Sequence, residues 1–287
     1  MNRLTYFAAA RQASQQLKKA GCDPNGLRYW FKARHRWDDT HWLLAQREAI
    51  PDHEKALAKV AVDRLLKHEP PQYVAGWAPF YGRWFKVTQS VLIPEIETAE
   101  LIDWCLEDLP ADQDLRVLDL GTGSGCIATT LALERPRWVL TASDISVDAL
   151  KVAKSNIDAL AARVRLVHSD LFDQLAGEQF DVIVTNPPYV ATNETAVMDR
   201  SVKDYEPSLA LFAGSDGLDF YRRLFQHLPS HLTNGGQLFG ETGYRQEESI
   251  VKEFNRLLPG AKITTRHDAA GKMRMIHGCD FSNAGGK

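Results

Sequence analysis

The sequence has no C-x-x-C pair: Cys22, Cys105, Cys126 and Cys279 stand far apart in a chain of 287 residues. That spacing signals neither a zinc knuckle nor a disulfide framework, and reduced, mostly buried thiols are expected, with no metal site. No apolar run approaches the roughly 20 residues that a bilayer span needs. The one apolar stretch near the N-terminus, Leu4 to Ala10, is interrupted by Thr5 and followed by Arg11, Lys18 and Lys19, a poor secretory signal. A cytoplasmic protein is expected. An excess of one charge is lacking too, because 34 Lys and Arg against 37 Asp and Glu leave a formal net charge of −3. No global basic surplus is present to hold a nucleic-acid backbone, although a local basic patch stays possible. Internal repeats, low-complexity blocks and long linkers are absent as well.

What is present is the balance of a soluble globular protein, with 44% apolar and 25% charged residues. The length suits one large domain or two modest ones. Residues 1–70 read as short helices, broken by Gly21 and Pro24 and reopened at Pro51. In the last of these, Leu57, Val60, Ala61 and Leu65 follow helical spacing and are expected on one buried face. Trp30, Trp37 and Trp42 fall close together, as a compact aromatic core or, alternatively, a partner-binding patch. From Tyr73 to Val87 the aromatic and β-branched pattern, punctuated by Gly76, Pro79 and Gly82, predicts a hairpin, so 71–90 is taken as the junction between domains.

Beyond it a helix is expected from about Glu97, with Leu101, Ile102, Cys105 and Leu109 inward, ending at Pro110. Residues 91–287 then form the larger domain. After residue 115, short apolar runs alternate with helical stretches, the mark of an α/β parallel sheet covered on both faces. The runs are Val117–Leu118, Trp138–Thr141, Val164–Val167, Phe180–Val184 and Gln237–Phe239, and the helices are Cys126–Glu134, Val147–Leu160, Leu218–Leu228 and Gln246–Leu258. Lys262–Arg266 and Met273–His277 read as a terminal strand pair turning through Asp268–Lys272. Ser282–Lys287 reads as a frayed tail.

The chemistry sits at the strand ends. The first run closes in Asp119, then Gly121, Thr122, Gly123, Ser124 and Gly125 before a helix. Glycines there let the backbone approach a ligand and leave helix N-terminal NH groups free. The spacing is neither that of dinucleotide folds nor that of a phosphate loop, and Asp119 would repel phosphates. A ligand with a cationic amino group is favoured, unless the segment is a plain tight turn. Asp144 ends the next strand where doubly wound folds place a ribose-binding carboxylate; its bland role, a helix cap, could fall to Ser146 instead. Asp170 and Phe172 follow the third strand, suited to an adenine amino group and ring face. Asn186-Pro187-Pro188-Tyr189 ends the strand Phe180 to Thr185. An asparagine amide beside carbonyls freed by proline suits a substrate presenting an NH2 group, although the same four residues are ordinary loop punctuation.

This order of glycine turn, ribose acid and adenine acid resembles the Rossmann-like S-adenosylmethionine-dependent methyltransferases, and Asn186 to Tyr189 resembles the N-P-P-Y motif of their amino-group branch. Along nearly the whole chain the resemblance is to the HemK/PrmC family of glutamine N5-methyltransferases acting on peptide-chain release factors. Pro71-Gln72-Tyr73, Phe80-Tyr81-Gly82, Leu92-Ile93-Pro94, Tyr205-Glu206-Pro207, Gly217-Leu218-Asp219 and Glu241-Thr242-Gly243 carry it. The helical N-terminal domain matches in kind only. The resemblance implies a Rossmann-like class I methyltransferase sheet with a small N-terminal helical bundle joined by a β-hairpin. It implies S-adenosylmethionine as methyl donor, held by Asp119, the Gly121–Gly125 turn, Asp144, Asp170, Phe172 and Asn186. Asn186, Pro187, Pro188 and Tyr189 would bind the substrate, with Asn186, Pro187 and Tyr189 catalytic and Tyr189 packed against the amide. The partner it implies is a release factor bearing a Gly-Gly-Gln tip and met by the helical domain; a monomer without nucleic-acid or membrane partners is expected. A glutamine on a ribosomal protein, a nucleobase amino group, or a non-catalytic binding role are the competing readings. One departure stands out: the family's usual Pro-Arg-Pro-Glu-Thr-Glu is Pro94-Glu95-Ile96-Glu97-Thr98-Ala99 here, reversing a charge near the cofactor crevice.

Overall fold

The computed structural model describes residues 4–196 and 198–281, and Ser282–Lys287 therefore lies outside the described residues. The chain divides into two compact units, residues 4–89 with 198–206 and residues 90–196 with 207–281. No helix among the described residues is long and apolar enough to cross a membrane.

The first unit opens with α1 (Tyr6–Lys19), α2 (Gly26–His35), α3 (Asp39–Ala45) and α4 (Asp52–Leu65). Thr5 caps α1 by accepting from Ala8 N. The stripe Tyr6, Ala9, Ala13 and Leu17 packs with Leu27, Trp30 and Phe31 of α2 and with Ala58, Ala61 and Leu65 of α4. Trp30 and Trp42 are buried in this core, and Trp37 stacks on His35 at its margin. The inner face of α4 differs from the one expected. Leu57 and Val60 are 41% and 57% exposed, and the buried stripe instead starts at Glu54. That carboxylate takes an inner position because Tyr6 Oη and His35 Nε2 reach its two oxygens at 2.7 and 2.6 Å.

Next comes α5 (Pro71–Ala75), so Tyr73 lies in one turn of helix and not in the hairpin. Pro71 sits in the first turn, where no NH donor is needed, and Gly76 at φ 76° stops the helix. The hairpin proper pairs β1 (Trp77–Phe80) with β2 (Arg83–Lys86).

The second unit begins with α6 (Ile96–Asp108), whose Leu101, Ile102 and Cys105 are buried, as is Leu109 after it. There follow β3 (Arg116–Leu120), α7 (Cys126–Glu134), β4 (Val139–Asp144), α8 (Val147–Ala159), β5 (Val164–His168) and β6 (Phe180–Thr185). After a 3-10 turn, α9 (Arg200–Tyr205) belongs to the first unit, where Tyr205 Oη donates to Lys67 O. The second unit resumes with α10 (Ser208–Leu211), α11 (Asp219–His231), β7 (Leu232–Glu241), α12 (Glu247–Leu257), β8 (Lys262–His267) and β9 (Met273–Cys279).

The seven strands run in the order β5-β4-β3-β6-β7-β9-β8, parallel except for β9, which is antiparallel to both neighbours. Near-continuous apolar strands such as β6, with Val182, Ile183 and Val184 buried, are what a sheet covered on both faces requires. On one face Tyr221, Leu224, Phe225 and Leu228 of α11 join Ile250 and Phe254 of α12. Strand order reverses at β3, with β4 on one side and β6 on the other, and such a switch opens a crevice at the strands' carboxyl ends.

Candidate active site

A cavity of about 330 Å³ lies in the second unit, lined by Gly121 and Gly123 after β3, Asp144 and Ile145 after β4, Ser169 after β5, and Asn186 and Pro188 after β6. Each group stands at the carboxyl end of a parallel strand, so the topology itself gathers them. Leu92 precedes the first helix of this unit, and Phe212 and Arg223 complete part of the wall.

The glycine turn is built for close approach. Gly121 and Gly123 have φ of 76° and 55°, and a Cβ on either would meet nothing within 4 Å. Gly125 is constrained by packing instead, since its Cβ would stand 3.1 Å from that of Ala153 on α8. The turn is held from below. Thr122 Oγ1 donates to Asp119 Oδ2 at 2.5 Å, Ala128 N on α7 donates to the same oxygen, and Asn156 Nδ2 donates to Ser124 O.

Asp119 is fully buried beneath the turn rather than on the cavity wall, and its Oδ1 has no hydrogen-bond partner among the described residues. Thr122 and Ser124 are likewise buried and away from the cavity wall. Burial pushes the Asp119 carboxyl up to about 7.

Asp144 does line the cavity. Its Oδ2 accepts from Gly123 N and its Oδ1 from Ser146 N, each at 2.8 Å, so each oxygen keeps a lone pair for a further donor. Desolvation raises its pKa. Ser146 caps α8 by accepting from Ala149 N, which leaves Asp144 free of that duty.

Two other expectations are displaced. Asp170 pairs with Arg223 at 2.9 Å, and it is Arg223 and Ser169 that line the cavity. Phe172 stacks flat on His231, ring centroids 4.1 Å apart, inside the core. Leu171 adopts φ 45°, and the chain reversal there carries Phe172 away from the cavity, where Ile145 and Phe220 supply the apolar surface.

At β6 the side chain of Asn186 is held on one edge only. Its Nδ2 donates to Thr98 Oγ1 at 2.8 Å, whereas Oδ1 is buried without a hydrogen-bond partner among the described residues. Pro187 is buried and Pro188 lines the cavity. Tyr189 does not line it, because its hydroxyl donates to Glu241 Oε1 at 3.0 Å. Its carbonyl accepts from Gln246 Nε2, and Gly217 must be glycine because a Cβ would stand 2.1 Å from that carbonyl.

Residues 102–209 match the family model described as the methyltransferase small domain, and residues 8–76 match that of the PrmC N-terminal domain. The release factor glutamine methyltransferase of Lactococcus lactis is 39% identical over 273 residues, an alignment covering 95% of this chain and 99% of that protein. The protein of the same description from Enterococcus faecalis is 38% identical over 270 residues, covering 94% and 97%. The chain belongs to the release factor glutamine methyltransferase family. A solved methyltransferase from Pyrococcus furiosus shares the fold at 16% identity, with a TM-score of 0.52 over 80% of this chain and 98% of that one.

Within this family member, two site residues carried no role in the sequence reading. Thr98 and Glu241 appear there only as parts of motifs, yet Thr98 Oγ1 donates to Glu241 Oε2 at 2.7 Å and accepts from Asn186. The available signal was a lone carboxylate closing the apolar strand Leu238-Phe239-Gly240-Glu241, beside a strand that ends in Asn186. Sheet register pairs Thr185 with Gly240, so Asn186 leaves β6 beside Glu241, the last residue of β7. Glu241 is wholly buried; desolvation raises it to about 7, and the negative charge of Glu95 adds to the rise. Among the described residues no group of three or more His, Cys, Asp or Glu could hold a metal ion.

Proposed function

We propose that this methyltransferase transfers the methyl group of S-adenosylmethionine to the side-chain amide nitrogen of a glutamine, in the Gly-Gly-Gln tip of a peptide-chain release factor. The observation that carries the reading is the unpartnered Oδ1 of Asn186, a residue lining the same cavity as Gly121, Gly123 and Asp144. Family membership over nearly the whole chain supports the choice of glutamine over a nucleobase.

The residues fit the methyl donor. Asp144 retains two lone pairs for ribose hydroxyls, the open faces of Gly121 and Gly123 admit a ligand against the backbone, and Ile145 with Phe220 offers a ring an apolar surface. Asp119, Thr122, Ser124 and Gly125 would act by holding the turn, and Asp170 through Arg223. S-adenosylmethionine supplies an electrophilic methyl group.

The chain's own task is the acceptor. An amide nitrogen is a poor nucleophile because its lone pair is delocalised into the carbonyl. Acceptance of its two hydrogens by Asn186 Oδ1 and the Pro187 carbonyl would orient that pair and favour pyramidalisation, which is catalysis by placement and preorganised dipoles. No strong base is needed beforehand, since the nitrogen's protons become acidic as positive charge develops on it. Pro188 would close one side of the amide, and Tyr189 would hold the loop through Glu241. The helical residues 1–70 would contact the release factor, a role that the match to the PrmC N-terminal domain supports.

Incubation with labelled S-adenosylmethionine and a release factor tests this. Label is expected on the wild-type tip and not on a Gln→Ala tip; label on nucleic acid in its place overturns the reading.

A further inference from the structure

We infer that Thr98 and Glu241 are positioning residues that hold the Asn186 carboxamide in the one orientation that presents its oxygen to the acceptor nitrogen, a role that rests on the function proposed above. The inference follows from counting protons. A carboxylate only accepts, and a hydroxyl has a single hydrogen to give. Glu241 takes the hydrogen of Thr98 on Oε2 and that of Tyr189 on Oε1. Thr98 Oγ1 is left able only to accept, and the group facing it from Asn186 must be the NH2, at 2.8 Å. Rotating the amide by half a turn would set Asn186 Oδ1 against an oxygen with no hydrogen to offer, an unpaired contact inside the protein. The acceptor end of Asn186 is thus kept free by a residue two hydrogen bonds away.

Nothing else holds that amide: Oδ1 has no partner among the described residues. The carboxylate end is itself immobile. Tyr221 Oη on α11 donates to the backbone carbonyl of Glu241, and the side chain is fully buried.

The arrangement depends on Glu241 being ionised. Once protonated, Glu241 can donate to Thr98, whose hydrogen is then released toward Asn186, and the flipped amide becomes satisfied. The groups that face Glu241 are Glu95 ahead of α6, Thr98 on α6, Tyr189 after β6, Tyr221 on α11 and Arg274 on β9. Glu95 opposes its ionisation and Arg274 favours it. Acidification through the neutral range is therefore expected to lower turnover.

Three variants test the inference with a release factor as substrate: Thr98→Val, which keeps the shape and deletes the hydroxyl, Thr98→Ser, which restores it, and Glu241→Gln. Thr98→Val should lower kcat about tenfold or more, with KM for the release factor and the affinity for S-adenosylmethionine changed less than about threefold. Thr98→Ser should return kcat to within about threefold of wild type. Glu241→Gln should give a low kcat whose acid limb has gone; should that variant not fold, the Thr98 pair still decides. Wild-type kcat in Thr98→Val, an equal loss in Thr98→Ser, or an unchanged acid limb in Glu241→Gln overturns the inference. Each leaves the proposed function standing, whereas failure of the wild type to label the Gln tip removes that function itself.

Discussion

The most deeply buried glutamate of each unit, Glu54 in one and Glu241 in the other, is held in an opposite way. Glu54 in the helical unit is 2% exposed and meets a guanidinium, an imidazole and a hydroxyl: Arg34 at 3.5 Å, His35 at 2.6 Å and Tyr6 at 2.7 Å. Its partners sit on α1 and α2, so the carboxylate ties three helices together. Glu241 in the sheet unit is 0% exposed, and its side chain accepts only from neutral hydroxyls, those of Thr98 and Tyr189. One of those hydroxyls then orients a residue at the cavity. A buried charge matched by opposite charge serves cohesion. One hydrogen-bonded only to neutral hydroxyls, next to a cavity, is costly to keep and is suited to organising a reaction site.

The largest effect expected on either side of this contrast is at the site that Glu241 serves. Asn186→Ala should lower kcat by about 10²–10³-fold or more while leaving the affinity for S-adenosylmethionine within about twofold; label transfer and calorimetry read the two, and normal turnover would break the mechanism. On the other side, Glu54→Ala should cost about 2–4 kcal/mol in urea unfolding of the helical unit, because a buried hydroxyl and a histidine lose their common acceptor. Its folded fraction should turn over a free glutamine-tip peptide at the wild-type rate. If turnover falls and stability does not, the division of labour drawn here is wrong.

Asp144→Ala, in the same cavity as Asn186 but proposed to hold the methyl donor, should weaken S-adenosylmethionine binding about tenfold or more, the worth of hydrogen bonds to a charged acceptor. Unchanged calorimetric affinity would remove it from the ribose position. Stability also depends on pH. Asp119 and Glu241 are both raised in the folded state, from 3.8 and 4.5 to about 7. The folded unit therefore binds more protons than the unfolded chain between about pH 4 and 7, and stability from this pair falls as pH rises through that window, by about 1.4 kcal/mol for each unit by which a carboxyl is raised. Turnover is expected to rise over the same range. A ligand-free unfolding series in which stability climbs toward pH 7 in wild type, and equally in Glu241→Gln, would show that these carboxyls do not govern it.

Much of the fold was legible because burial writes itself into short periods. The runs at Val117 and Phe180 are strands whose residues are buried on both faces, and Cys126–Glu134 is a helix whose first turns are buried all round. The face of α4 was not legible. A charged residue counts as outward in any pattern, and only the arrival of Tyr6 and His35 from other helices makes Glu54 an inner one. Direction at turns was equally hidden: the pattern placed Asp119 and Phe172 at strand ends, but the turn at Gly121 and the left-handed Leu171 decided that both point inward.

For the site, the same boundary holds. Local sequence determined its parts, because glycines, a strand-end carboxylate and an asparagine before two prolines each follow from what one strand terminus can present. Tertiary structure alone decided how they are used. Thr98 is 88 residues from Asn186 and 143 from Glu241 along the chain, and only the pairing of β6 with β7 under α6 brings the three within hydrogen-bond reach. The orientation of an amide depends on which hydrogens its neighbours have left to give, and those neighbours are chosen by the sheet.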